Sequence, residues 1–211
     1  SNEIDRLYSE NGAVGLNAST GQDLTTYQVS IPANRIELWA RIEADRMVHP
    51  VFREFYTERD VVMEERRQRA ESDPDGKLLE NYLAAAFISH PYRRPILGWP
   101  SDMRNLDIAY MSKYFRNRHA PNNTVIAMVG DLQPSTALKI VEKYFSRIPA
   151  QKLTSPPITE EQRQSGERRV EVIFDAEPQM ILGYHKPPPP VFADYLFDMI
   201  ESILTKGRTS R

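Results

Sequence analysis

The sequence predicts a two-layer α+β fold, with a mostly antiparallel sheet and helices packed on one of its faces. Three observations predict it. Residues 15–20 and 24–31 read as two strands joined by Gly21-Gln22-Asp23, a hairpin. An apolar run at 124–129, the turn Gly130-Asp131 and an amphipathic stretch at 134–145 follow one another as strand, turn and helix, a unit of a layered fold. Between them, residues 34–118 carry helix-period hydrophobic patterns punctuated by Pro and Gly.

In chain order, residues 3–9 read as the last turns of a helix that Asn11-Gly12 stops. The first strand is small and polar, as an edge strand is, whereas the second alternates Thr25, Tyr27, Val29 and Ile31 with polar residues. Pro32 leads into a helix over 34–48, with Ile36, Leu38, Trp39, Ile42, Ala44 and Met47 in helical spacing. His49-Pro50 breaks it, and a second helix is expected over 51–72, free of Gly and Pro. The Asp73-Pro74-Asp75-Gly76 turn separates it from a helix at 78–88. A Pro-punctuated loop at 90–98 precedes a helix at 107–118. Beyond 145, a polar connection at 150–168 leads to strands at 169–174 and 179–184, and then to a helix at 192–204.

The 211 residues, 40% of them hydrophobic, suffice for one large domain or two small ones. The 27 basic and 29 acidic side chains are well mixed at a net charge of −2, so no basic stripe for nucleic acid is present. No apolar run approaches 18 residues, which excludes a helical membrane span. There is no cysteine, hence no disulfide, no thiolate nucleophile and no Cys-based zinc site.

The chemistry-bearing stretch lies in the expected helix over 51–72. Val51, Phe52, Phe55, Tyr56, Val62 and Met63 form a broad apolar stripe at 100° per residue. Glu58 and Glu65, seven apart, point the same way beside it, roughly 10 Å apart along the axis. There a carboxylate is partly desolvated and calls for a proton, a cation or a metal. Glu64 points away into solvent. On spacing alone, a charged surface helix with ordinary i,i+4 pairs is the more common explanation of such a pattern.

The company this stretch keeps is informative. Asn17-Ala18-x-Thr20-x-x-Asp23-x-Thr25-x-Tyr27, Ala44-Asp45-Arg46, Glu58-Arg59-x-Val61-Val62-x-x-Glu65, His90-Pro91-Tyr92 with Gly98, Pro121-x-Asn123, Gly130-Asp131 and Tyr144-Phe145-x-x-Ile148-Pro149 occur in that order. Together they resemble the insulinase/pitrilysin family of zinc peptidases, the inverzincins, over nearly the whole chain. In that family two histidines of an H-x-x-E-H helix and a distant glutamate bind zinc, and the glutamate within the motif is the general base.

By this resemblance Glu65 matches the distant zinc ligand, and Glu58 a second acidic residue that supports the site. The edge strand with Leu16, Asn17, Ala18 and Ser19 matches the one on which members lay their substrate as an added strand. H-x-x-E-H itself is absent: His49, His90, His119 and His185 are each isolated. The family spacing puts the motif roughly a dozen residues before Ser1. The resemblance therefore implies an incomplete domain over residues 1–211, lacking its metal-motif helix and its C-terminal end beyond the Gly207-Arg208-x-x-Arg211 stretch. It implies a fragment of a zinc metalloendopeptidase, itself inactive and without its zinc. It implies peptide or unfolded polypeptide as the substrate and a second homologous domain or subunit as the partner, while the loop composition suggests a bacterial periplasmic or cytoplasmic protein. The alternatives are a non-catalytic partner subunit or peptide-binding module of the same family, and an unrelated charged-helix scaffold.

Overall fold

The structure, a computed structural model, describes residues 3–153 and 157–206; the Gly207 to Arg211 end and Pro156 lie outside them. The chain divides into two compact units, Ser1–Val170 and Glu171–Arg211. The first holds α1 (Glu3–Glu10), β1 (Val14–Thr20), β2 (Thr25–Ser30), α2 (Ile36–Val48), α3 (Phe55–Arg66), α4 (Pro74–Ala86), α5 (Pro100–Asn105), α6 (Ile108–Arg118) and α7 (Pro134–Phe145). The second holds α8 (Phe192–Thr205). The fold is α+β, rich in helix, with an antiparallel sheet of two strands.

β1 and β2 pair as Asn17 with Gln28, Ala18 with Tyr27, Ser19 with Thr26 and Thr20 with Thr25. The register slips between Val14 and Asn17, where Gly15 takes a φ of 65°. A left-handed glycine is what an inserted bulge residue requires, and it bends the strand's entry. The Gly21 N–H closes the turn on the Leu24 carbonyl at 2.9 Å.

The core lies where α2 packs against α7, the two helices read from the patterns at 34–48 and 134–145. Ala40 and Ala44 let the helices approach, Phe145 fills the seam, and Trp39, Met47, Ile126, Ile140, Val141, Tyr144 and Ile148 pack around it. The Trp39 and Phe145 rings sit 5.9 Å apart.

Two expectations need correction. The helix expected over 51–72 starts only at Phe55, because the Phe55 N–H turns back to the Phe52 carbonyl and the first i,i+4 bond is Glu58 N–H to the Glu54 carbonyl. Val51 is consequently outside the helix and 75% exposed rather than part of a buried stripe. The α-helix then widens into a π-helical turn, Arg67–Glu71, closed by Ser72 N–H on the Arg67 carbonyl at 2.8 Å. The strands expected at 124–129, 169–174 and 179–184 join no ladder among the described residues. Alternation survives in the first of them: Ile126 enters the α2–α7 core while Val125 and Val129 are 91% and 99% exposed. Hydrophobic period reports which side chain turns inward; a ladder needs a neighbouring backbone as well.

The π turn is locked from α4. Asp73 caps α4 by accepting from the Gly76 N–H at 2.8 Å, and a Cβ at position 76 would lie 1.7 Å from the Arg69 carbonyl oxygen. Gly76→Ala is therefore expected to destabilise the chain by about 2–3 kcal/mol through forced separation of the π turn from α4. Chemical denaturation checks this, and an unchanged midpoint would show that the close approach yields freely.

Candidate metal and substrate site

α3 carries both candidate acids on one helix, two turns apart. Glu58 is exposed. Glu65 is partly covered, its side chain 37% exposed, and its Oε1 receives Arg69 Nη1 at 3.0 Å from the π turn. The positive partner for Glu65 is thus supplied by the chain itself. Glu64 faces solvent, and its bond to Arg67, supported by Gln68, holds its carboxyl down to about 2.

One residue beyond Glu65, Arg66 is the buried charge of α3, 4% exposed. Its Nη1 and Nη2 grip Glu80 of α4 at 2.8 and 3.1 Å, and its guanidinium lies 5.8 Å from the Trp99 ring centroid. Glu71, brought round by the π turn, approaches Arg66 Nε at 3.7 Å. Sequence reading missed this pair. Its only signal was an Arg on the apolar side of a Glu- and Arg-rich helix, and nothing in the pattern points across to α4.

The donor set does not by itself fit zinc. Among the described residues no group of three His, Cys, Asp or Glu side chains could hold a metal ion. Three of the histidines are engaged elsewhere. His49 Nδ1 meets Asp45 at 2.9 Å, His90 Nδ1 accepts from the Tyr92 N–H at 3.2 Å, and His119 Nε2 meets the Tyr27 hydroxyl at 3.0 Å. A single carboxylate already paired to a guanidinium falls short of the three or four ligands a zinc site uses.

The candidate substrate residues Leu16, Asn17, Ala18 and Ser19 all lie on β1, exposed along its full length and paired on one side only among the described residues. Asn17 Oδ1 accepts from the Ala18 N–H at 2.9 Å, so the side chain engages part of the backbone a peptide would need. Behind the strands a polar chain fixes β2 to the helices. Buried Tyr8 donates to Glu43 at 2.6 Å, Arg46 bonds both Glu43 oxygens and lies over the Tyr27 ring, and Tyr27 reaches His119. Burial, reinforced by the charge of Arg46, pushes the His119 imidazole below its ordinary value. The ring stacks on Phe115 at 4.3 Å.

A second ionic feature seals the end of α4. Glu161 accepts from three consecutive backbone N–H groups, Ile88 at 2.9 Å, Ser89 at 2.8 Å and His90 at 2.9 Å. Arg168 Nη1 donates to the Ala86 carbonyl at 2.7 Å and meets Glu161 at 3.3 Å. The Ile88 and His90 amides lead in holding the Glu161 carboxyl down from 4.5 to about 2. A depressed folded-state value means that this carboxylate stabilises the fold above about 4.5 and that its contribution fades as pH falls towards about 2. Amide exchange at 88–90, corrected for intrinsic rates, is accordingly expected to speed up between pH 5 and pH 3. Protection unchanged across that window would contradict the assignment.

With that geometry in place, relationships become clear. Residues 1–99 match the insulinase family (peptidase family M16), and residues 105–211 match the family described as the peptidase M16 inactive domain. The chain is 27% identical over 214 residues to the zinc protease PqqE of Helicobacter pylori, covering 99% of this chain and 48% of that protein. It superposes on the crystal structure of a protease from Helicobacter pylori with a TM-score of 0.87 at 25% identity, over 100% of this chain and 52% of that one. The periplasmic protease PqqL from Escherichia coli shares the fold, with a TM-score of 0.67 at 22% identity over 77% of this chain and 19% of that one. The chain thus spans about half the length of the Helicobacter zinc protease it matches.

Proposed function

The chain belongs to the insulinase family of peptidases, family M16, and from that premise we propose that it forms part of a zinc-dependent endopeptidase acting on extended polypeptide. The observation that carries the reading is the likeness of the entire chain to half of a protease structure, together with its 27% identity to a protein named as a zinc protease. In this reading Glu65 is one metal ligand, Glu58 is the acid that supports it, and residues 16–19 of β1 receive the substrate backbone as an added strand. The two histidines and the general base come from an H-x-x-E-H helix upstream of residue 1. The 211-residue chain alone then neither keeps zinc nor cleaves peptides.

A second homologous domain or subunit completes the protein. Apolar side chains without cover support this: Phe192, Met199 and Ile203 of α8 are 74%, 62% and 61% exposed. Patches of this kind mark interfaces. The compartment proposed is bacterial, periplasmic or cytoplasmic. No helix among the described residues is long and apolar enough to cross a membrane.

A non-catalytic partner subunit is the competing reading, favoured by the match of residues 105–211 to the domain described as inactive. Peptidase assays separate the two. A chain extended upstream to include the expected motif should hydrolyse an unfolded polypeptide and stop on chelation, whereas the chain as given should not. An extended chain in which the two histidines are replaced by other residues would establish the partner reading instead.

A further inference from the structure

We propose that the loop at residues 87–94 is a brace between the segment carrying Glu161 and the turn of the β1–β2 hairpin, with Tyr92 the positioning residue that holds the β1 edge for a bound peptide. The brace itself is geometry. Only its consequence for peptide rests on reading β1 as the substrate strand.

The loop is fixed at one end by Glu161, which binds the amides of Ile88, Ser89 and His90, and by Arg168 on the last carbonyls of α4. It is stiff within. Arg93 Nη1 donates to the Ile88 carbonyl at 2.7 Å, and the Tyr92 N–H donates to His90 Nδ1. The His90 and Tyr92 rings meet edge to face at 4.4 Å, and each lies 5.7 Å from the Phe87 ring. At its other end the Tyr92 hydroxyl donates to the Asp23 carboxylate, and Gln22 Nε2 donates to the Arg94 carbonyl at 3.2 Å. Both ties cross about 70 positions of sequence and land on the two central residues of the hairpin turn.

The hairpin needs such a hold. Every residue of β1 is exposed, so burial does not set its orientation, and a strand that accepts a peptide backbone must present its amides at fixed positions. The Tyr27–His119 bond fixes the sheet from behind β2, and the Tyr92–Asp23 bond fixes it at the tip. Two anchors define an orientation where one leaves a pivot. Because Glu161 and Asp23 grip opposite ends of one stiff loop, release at the first is felt at the second.

Hydrogen exchange of the chain tests this with Tyr92→Phe, Glu161→Ala and the double variant. Tyr92→Phe keeps the ring and should speed exchange at residues 19–24 by about tenfold while leaving 88–90 protected. Glu161→Ala should speed exchange at 88–90 and also at 19–24, and the double variant should add nothing further at the turn. Acceleration confined to 88–90 in Glu161→Ala would overturn the brace, as would an unchanged turn in Tyr92→Phe. A fluorescent, unstructured peptide probes the consequence, and Tyr92→Phe should weaken its binding several-fold. If the peptide binds no form of the chain while the turn still responds to Glu161→Ala, the brace stands and the substrate-strand reading fails.

Discussion

Replacing Glu80 with leucine lowers the unfolding free energy by about 3–5 kcal/mol, because it leaves the Arg66 guanidinium buried without its counter-charge. The Arg66 and Glu80 side chains are 5% and 9% exposed, so solvent cannot take over from the lost partner. Glu71 does not replace it: it stands 3.7 Å from Nε, beyond hydrogen-bond range, and Nε is already buried without a hydrogen-bond partner. Changing both residues to apolar ones of similar size, Arg66→Met with Glu80→Leu, should restore most of the loss, since the desolvation of both ions disappears together. The contrast lies three residues away. Arg69→Ala removes an ion pair whose arginine is 73% exposed and should cost less than about 1 kcal/mol. Urea midpoints for the three variants decide the matter. A Glu80→Leu variant as stable as Arg69→Ala would show that the buried pair is not what joins α3 to α4.

Local pattern carried much of the fold into the sequence, and partnership carried the rest. The hairpin at 14–30 and the helices at 36–48, 108–118, 134–145 and 192–205 follow from period and punctuation close to the chain itself. α4 begins at Pro74, four residues before its hydrophobic pattern, because Asp73 caps it and Pro tolerates the first turn. The short α5 carries too few turns to show a period. The run at 124–129 kept its alternation but finds no ladder among the described residues.

The candidate site divides in the same way. That Glu58 and Glu65 share a helix was legible from a seven-residue spacing. The Glu65–Arg69 pair is an i,i+4 contact of the kind that the charge spacing of this helix shows. That Arg66 would bury itself against Glu80 depended on how α4 returns, which no short window shows. The Glu161 seat is more distant still, joining residues more than 70 apart that share no motif.

The central claim is that Glu65 is a zinc ligand awaiting imidazoles from outside this chain. Arg69 Nη1, 3.0 Å away on a side chain that is 73% exposed, is the positive charge that now faces Glu65. Replacement of a ligand carboxylate removes one of three protein ligands, and the remaining two do not ordinarily retain the ion. The direct measurement is zinc per polypeptide, by elemental analysis after dialysis. It is made on the chain as given, on the chain extended upstream through the expected H-x-x-E-H helix, and on the extended chain carrying Glu65→Gln. The account predicts negligible zinc in the first, about one ion per chain in the second and loss of that ion in the third. Stoichiometric zinc in the chain as given, or full retention by Glu65→Gln, would contradict it.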